Sequence, residues 1–216
     1  MSHAPWQRYI ALGDPLADGS DGVAPGRTSA PGWAAHLAAI LDRDARLGDP
    51  ERCGVAFSDR TDRDHALTEV VREQVPRALA ARADLVSIVT GGRELLATGA
   101  DPDAVAARLE AGVSALRAAG TDVLLATSFD PRSAPSLRVR RGRAAVFNAH
   151  LWSIARRHGT FVLDVWGMRD LQSPRHWVQG RVRLDAVGHR LLANRAAHCL
   201  GVAYAEAGRP RASPEA

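Results

Sequence analysis

The chain has 216 residues, of which 46% are hydrophobic and 24% are charged, and this composition is typical of one soluble globular domain. The formal net charge is +4, and every cationic side chain apart from histidine is an arginine, because the sequence contains no lysine. The arginines are interleaved with Asp and Glu, which argues against a specific nucleic-acid-binding stripe. The absence of lysine also excludes a P-loop, whose phosphate-binding motif requires one.

The N-terminal residues show no apolar signal region, and the first apolar run, residues 9–12, is far shorter than a membrane span. We therefore expect a cytoplasmic protein without a membrane partner. Cys53 and Cys199 lack the spacing of a metal or redox motif, and we expect two partly buried thiols. The eight histidines form no metal-binding pattern, and Gly91-Gly92 lacks the rest of a dinucleotide fingerprint. We therefore expect no metal and no cofactor.

Five short apolar runs have the length and composition of β-strands that are buried on both faces of a parallel sheet. They cover residues 8–13, 53–57, 85–90, 123–127 and 161–165. Amphipathic helices are predicted between and after them, because apolar residues recur there at helical spacing. The apolar stripes contain Trp33, Leu37, Ile40 and Leu41; Leu67, Val70, Val71 and Val75; Val105, Leu109, Val113 and Leu116; Phe147, Leu151 and Ile154; and Leu192, Ala196 and Cys199. Asp101-Pro102 predicts the start of the third helix, and Gly120 predicts its end.

The strict alternation of strands and helices predicts one domain, residues 1–205, with a three-layer α/β/α architecture around a five-stranded parallel sheet. Residues 15–30 and 128–144 are long polar connections, and the second of them carries five arginines. Loops that follow the strands of such a sheet border its ligand crevice. Residues 206–216 are predicted to be a disordered tail.

The segment Tyr9-Ile10-Ala11-Leu12-Gly13-Asp14 resembles the first block of the SGNH (GDSL-type) hydrolases, in which the first strand ends in Gly-Asp-Ser. The resemblance covers roughly residues 8–201 in order and spacing, and it is similar to actinobacterial members in particular. Further blocks that carry it are Glu73-Gln74-Val75-Pro76, Asp84-Leu85-Val86-Ser87-Ile88-Val89-Thr90-Gly91-Gly92, Phe129-Asp130-Pro131-Arg132, Asp164-Val165-Trp166-Gly167-Met168-Arg169 and Gly188-His189-Arg190. It implies an SGNH, flavodoxin-like fold and the chemistry of a serine esterase or lipase.

The chemistry of that family implies a serine nucleophile, a glycine and an asparagine that stabilise the oxyanion, and a histidine base oriented by an aspartate. This chain has Pro15 in place of the serine, Asp64 in place of the glycine and Arg93 in place of the asparagine. It has Gly180 in place of the aspartate and Arg183 in place of the histidine. Asp14 and the pair Gly188-His189 remain, while Glu94 replaces the aspartate that follows the asparagine. The resemblance therefore implies a retained fold with a replaced catalytic set.

The chemistry could also have moved to other residues. Candidate nucleophiles are Ser20, Thr28 and Ser29 after the first strand and Ser128 after the fourth. Turn formation explains each of these four residues better. His189 is a candidate base, although the Gly-His of relatives caps the final helix, and Asp185 is expected to be the N-cap of that helix.

Three functional hypotheses follow. The first is a non-hydrolytic pseudoenzyme that binds a ligand or acts as the inactive partner of an active relative. The second is an enzyme with a rebuilt site for an anionic small molecule, with candidate residues Asp14, Asp64, Arg93, Arg183 and His189. The third is a weak residual esterase. The oligomeric state stays open.

The charged replacements also predict a local arrangement. We expect Asp64, Arg93 and Arg183 to lie near Asp14 at the carboxyl ends of the strands, where a mixed Asp–Arg network would plug the substrate cleft. The alternative is a set of independent, solvated surface charges.

Overall fold

The computed structural model describes residues 3–13, 31–61, 65–133, 135–177 and 184–202. Its centre is a sheet of five parallel strands in the order β2-β1-β3-β4-β5. The strands are β1 (Arg8–Gly13), β2 (Ala56–Asp59), β3 (Leu85–Val89), β4 (Asp122–Ala126) and β5 (Phe161–Leu163). The three central strands are buried along almost their whole length, which is why they read as continuous apolar runs. The predicted parallel sheet and its flavodoxin-like fold are confirmed.

Helices cover both faces of this sheet. They are α1 (Trp33–Gly48), α2 (Leu67–Glu69), α3 (Val75–Ala80), α4 (Pro102–Ala118), α5 (Arg141–His158) and α6 (Ala186–Cys199). On one face, α1 and α6 pack together and bury Trp33, Leu37 and Leu192 among others. On the other face, α2 to α5 form a second core that includes Leu109 and Phe147. The predicted three-layer α/β/α architecture is therefore confirmed.

The caps that the sequence predicts are present. The Asp101 carboxylate accepts a hydrogen bond of 3.0 Å from the Asp103 N–H at the start of α4. The Asp185 carboxylate accepts one of 2.6 Å from the Gly188 N–H at the start of α6. Gly120, with φ of +80°, follows the end of α4 in the left-handed region that favours glycine.

Four sequence predictions need correction. The run at 53–57 forms a strand only from Ala56, and this strand, β2, pairs with β1 alone at the edge of the sheet. Cys53, before the strand, is exposed rather than partly buried. Helix α5 begins at Arg141, inside the predicted connection 128–144. The predicted helix with the stripe Leu67, Val70, Val71 and Val75 is not continuous α-helix, because Val70–Gln74 adopts a π-helical turn between α2 and α3.

Some predictions fall outside the described residues, namely the whole connection 15–30 and the whole tail 206–216. Within the described ranges, none of the helices combines the length and the apolar content that a membrane span requires.

Candidate active site at the carboxyl ends of the strands

The strand order reverses between β1 and β3, and in an open α/β sheet such a reversal opens a ligand crevice at the carboxyl ends of the strands. Gly13 is the last residue of β1 and pairs with Val89, the last residue of β3. Its φ is +112°, and a Cβ at this position would lie 1.8 Å from the Val89 carbonyl oxygen. Glycine is therefore required for the two backbones to remain paired at the base of the crevice.

Gln74 supports this base from the π-helical turn. Its side chain is buried, and its Oε1 atom accepts a hydrogen bond of 2.9 Å from the Gly13 N–H. Its Nε2 atom lies 3.1 Å from Nδ1 of His65. The extra residue of a π-turn is common at functional sites. The sequence prediction assigns no role to this glutamine. Its position four residues after Val70, on the apolar face of the helix, indicates a buried polar side chain.

Arg93 and Glu94 follow β3 at the same edge. Arg93 is exposed and precedes the short 3₁₀ turn Glu94–Leu96. The Glu94 carboxylate accepts a hydrogen bond from the Leu67 N–H at the start of α2. Because Ala66 before this helix has no side-chain acceptor, Glu94 supplies the missing N-cap from another loop. This acidic residue therefore fixes the segment that follows residues 62–64.

The loop after β4 is held by one buried carboxylate. Asp130 accepts hydrogen bonds of 2.7 and 3.0 Å from the Arg141 guanidinium and one of 3.0 Å from the Arg132 N–H. The hydrogen bonds from Arg141 hold the pKa of Asp130 below its ordinary value, against the opposing effect of burial. The Arg141 guanidinium also lies 5.4 Å from the ring centroid of Trp166, in a cation–π contact. A two-pronged ion pair thus joins this loop to the first turn of α5.

Ser128, a candidate nucleophile, lies at the start of this loop. Its N–H donates 2.9 Å to Oδ1 of Asn148, and its carbonyl oxygen accepts 3.2 Å from Nδ2 of the same side chain. These two bonds tie the backbone of Ser128 to α5. They use both hydrogen-bonding groups of the main chain and fix the course of the loop.

The segment before residue 178 contains a histidine–aspartate contact that the sequence prediction missed. Nδ1 of the buried His176 lies 3.5 Å from the Asp185 carboxylate, and Nε2 accepts 3.0 Å from Nε of Arg175. Burial alone raises the pKa of Asp185, but the hydrogen bond from the Gly188 N–H and the nearby His176 ring outweigh it, and the pKa lies below its ordinary value. Asp185 therefore joins this segment to α6 in addition to capping the helix.

His189, the candidate base, lies between the two helices of one face. The residue is buried, and its Nδ1 atom accepts a hydrogen bond of 3.2 Å from the Trp33 N–H at the first turn of α1. The expectation that this Gly-His pair caps the final helix is therefore corrected, because the histidine caps α1 while Asp185 caps α6. A neutral imidazole that accepts at Nδ1 carries its proton on Nε2.

Of the five candidate site residues, the structure describes Arg93 and His189, and no direct contact joins these two described residues. Asp14, Asp64 and Arg183 lie outside the described residues, as do Pro15 and Gly180. The expected Asp–Arg network therefore stays a prediction. In the part of the chain that the structure describes, no group of three or more His, Cys, Asp or Glu side chains is arranged to hold a metal ion.

The comparisons with known proteins agree with this architecture. A family model described as the GDSL-like lipase/acylhydrolase family matches residues 11–191. An alpha/beta hydrolase enzyme from the metagenome of Lake Arreo, Spain, has a similar structure, with a TM-score of 0.74 and 20% identity over 93% of this chain and 97% of that chain. No curated protein sequence matches the chain.

An acetylxylan esterase from Geobacillus stearothermophilus is also similar, with a TM-score of 0.69 and 16% identity over 94% of this chain and 97% of that chain. Two further structures of that esterase are described as catalytic mutants, one with a serine and one with a histidine replaced by alanine. Identities this low show a common fold and nothing finer.

Proposed function

The chain belongs to the GDSL-like lipase/acylhydrolase family, and from this membership we propose that it has kept the fold of that family and lost ester hydrolysis. The observation that carries the proposal is Pro15 at the position of the nucleophilic serine, because proline has no hydroxyl to attack an ester carbonyl. Arg183 at the position of the base supports it, since a guanidinium group stays protonated and accepts no proton. Such a protein acts by binding, either to a ligand or to an active relative.

The described residues near the crevice support this proposal through the bonds that they make. Gln74 holds the Gly13 N–H, and Glu94 caps α2. The Nδ1 lone pair of His189 is used by the Trp33 N–H, and Nε2 then carries the proton, so the neutral ring has no lone pair left to act as a general base. These three side chains hold elements in place.

The experiment is a hydrolysis assay of the purified chain with short acyl esters of p-nitrophenol. We expect no turnover above that of the buffer, because the nucleophile, its base and its oxyanion donors act as a unit. A rate well above the buffer that a serine-directed phosphonate abolishes would contradict the proposal.

A rescue series sharpens the assay. Pro15→Ser alone should stay inactive, because the base and the oxyanion donors are still replaced. The five-fold variant Pro15→Ser, Asp64→Gly, Arg93→Asn, Gly180→Asp and Arg183→His restores every family position, and we expect it to turn over esters measurably. Turnover by the single variant would mean that the base lies elsewhere. An inactive five-fold variant with an unchanged melting temperature would show that the loss goes beyond these positions.

A second candidate function is the binding of an anionic small molecule. The observation that favours it is Arg93, which is exposed at the carboxyl end of β3, beside the strand reversal where ligands bind in such sheets. Arginine recognises carboxylate and phosphate groups with two parallel hydrogen bonds. Asp14, Asp64 and Arg183 complete the proposed site, whereas His189 has a structural role as the cap of α1.

Thermal denaturation with inorganic phosphate or citrate tests this candidate. A ligand that binds the native state raises the melting temperature, and Arg93→Ala should abolish the rise. Arg43→Ala, a change at an exposed arginine of α1, serves as the control and should keep it. An equal rise in wild type and both variants would reduce the effect to general salt stabilisation and remove this candidate.

A further inference from the structure

Helix α5 has an outer face that nothing in the described fold covers. The helix packs against α4 on one side and lies next to β5, the edge strand of the sheet. Three of the five exposed large hydrophobic side chains in the described residues occur between residues 139 and 152. Val139 is 86% exposed, Val146 46% and Trp152 47%. Scattered exposed apolar residues are normal, but a cluster of them indicates an interaction surface.

These side chains flank one continuous strip. At 100° per residue, the buried Phe147, Leu151 and Ile154 point to the sheet, whereas Val146 and Trp152 stand on the two sides of the opposite face. The exposed positions between them are occupied by Gly142, Ala145, Ala149, Ser153 and Arg156. The outer face of α5 is therefore a strip of mainly small side chains, with Arg156 near its C-terminal end and one large apolar side chain along each border.

The segment that carries this strip contributes charge of only one sign. Residues 131–163 contain seven arginines and no Asp or Glu, so the expected interleaving of arginines with acidic residues fails in this segment. Within the described residues, two of these arginines form ion pairs with neighbouring carboxylates, Arg141 with Asp130 and Arg157 with Glu110. The remaining arginines of the segment form no ion pair with a described residue.

Two of these remaining arginines are held in place by neutral acceptors. Arg138 donates from Nε and Nη2 to the carbonyl oxygen of Arg132, and Arg143 donates from Nη1 to that of Ala97. A carbonyl oxygen positions a guanidinium group without neutralising its charge, and the other N–H donors of the group remain. The N-terminal end of the strip is thus bordered by cations that are held by carbonyl oxygens and form no ion pair with a described carboxylate.

We propose that the outer face of α5, from Gly142 to Arg156, together with Val139 in the turn before the helix, binds an acidic amphipathic segment of a partner protein. The strip would pack against an apolar stripe on the partner, and the arginines would form ion pairs with carboxylates beside that stripe. A second copy of this chain fits poorly, because an antiparallel pair would bring Arg138 and Arg143 near Arg156 of the other copy. The proposal deepens the partner role suggested above and does not involve hydrolysis.

The test uses a fluorescently labelled synthetic amphipathic helix of Leu, Ala and Glu, titrated with the full chain and followed by anisotropy. The double variants Val146→Ser/Trp152→Ser and Arg138→Glu/Arg140→Glu should each weaken binding about tenfold or more, because apolar and arginine anchors dominate interfaces. Arg43→Glu/Leu47→Ser, which changes an exposed arginine and an exposed leucine on α1 across the sheet, is the matched control and should bind like wild type. All replaced side chains are at least partly exposed, so we expect each variant to fold like wild type. Circular dichroism verifies this.

Four results would overturn the proposal. Equal weakening by the control, or equally tight binding of poly-glutamate, would reduce the interaction to general charge attraction. Tighter binding of a single-stranded DNA through the same arginines would assign the face to nucleic acid. Concentration-dependent dimers in sedimentation that Trp152→Ser abolishes would assign it to a second copy. None of these results bears on ester hydrolysis, so the failure of this proposal is distinct from the failure of the proposed loss of activity.

Discussion

The polar groups at the base of the crevice, where β1 and β3 end, are bonded differently from the arginines of residues 131–163, which we call the rim. At the base, Gln74 accepts a hydrogen bond from the Gly13 N–H, and Glu94 accepts one from the Leu67 N–H, so both side chains join distant parts of the chain. On the rim, Arg138 and Arg143 bond only carbonyl oxygens and form no ion pair with a carboxylate among the described residues. This difference indicates that the base holds the fold together, whereas the rim is available for binding.

The first prediction tests the base at its tightest point. Gly13→Ala should reduce the free energy of unfolding by more than about 3 kcal/mol, because the added Cβ meets the Val89 carbonyl and the backbone has a positive φ. Gly120→Ala is the matched control, since its φ is +80° with open space around the Cβ, and it should cost about 1 kcal/mol. Urea denaturation measures both. Equal losses would mean that backbone conformation alone, without the close approach of β1 to β3, accounts for the glycine.

The second prediction concerns the side chain that holds this point. Gln74→Leu removes the acceptor of the buried Gly13 N–H and should cost about 1–3 kcal/mol of unfolding free energy. Gln7→Leu, at an exposed glutamine, should change it by less than about 0.5 kcal/mol. If the two substitutions cost the same by urea denaturation, the base would be no more dependent on its polar bonds than the surface.

The two regions also differ in how far the sequence predicts them. The caps Asp101 and Asp185 act within two or three residues, so local pattern identifies them. Gln74 and Glu94 act on residues 61 and 27 positions away, and His189 on one 156 positions away, so their roles depend on tertiary contacts that no local pattern contains. Family motifs named Arg93 and its replaced neighbours, but motifs cannot give the partners of such side chains.

The third prediction uses pH to separate paired from unpaired arginines on the rim. The folded pKa of Asp130 lies below its ordinary value, chiefly because of the hydrogen bonds from Arg141. The resulting stabilisation is fully present above the unfolded pKa, about 4, and is lost as the pH falls through the lower folded value. Arg141→Met should therefore lower the melting temperature near neutral pH, and the difference from wild type should shrink towards about pH 2.

Arg140→Met is the control for this experiment, because Arg140 has no carboxylate partner among the described residues. We expect its melting temperature to differ little from wild type at either pH. A difference for Arg141→Met that stays constant across the acid range would show that the arginine stabilises the loop through its contact with Trp166 and not through the Asp130 carboxylate.

The smallest expected effect addresses the border between the two regions, where Arg93 follows β3. If Asp64 and Arg93 belong to a network that plugs the cleft, the double-mutant cycle of Asp64→Ala and Arg93→Ala should give a coupling free energy of about 0.5–3 kcal/mol. If they are independent, solvated charges, each change should cost less than about 0.5 kcal/mol and the two should add. Coupling that persists in high salt would indicate direct hydrogen bonds, since screening removes the interaction of separated surface charges. Additive effects would place Arg93 with the rim cations, so the plug would be lost and the anion-binding candidate would gain support.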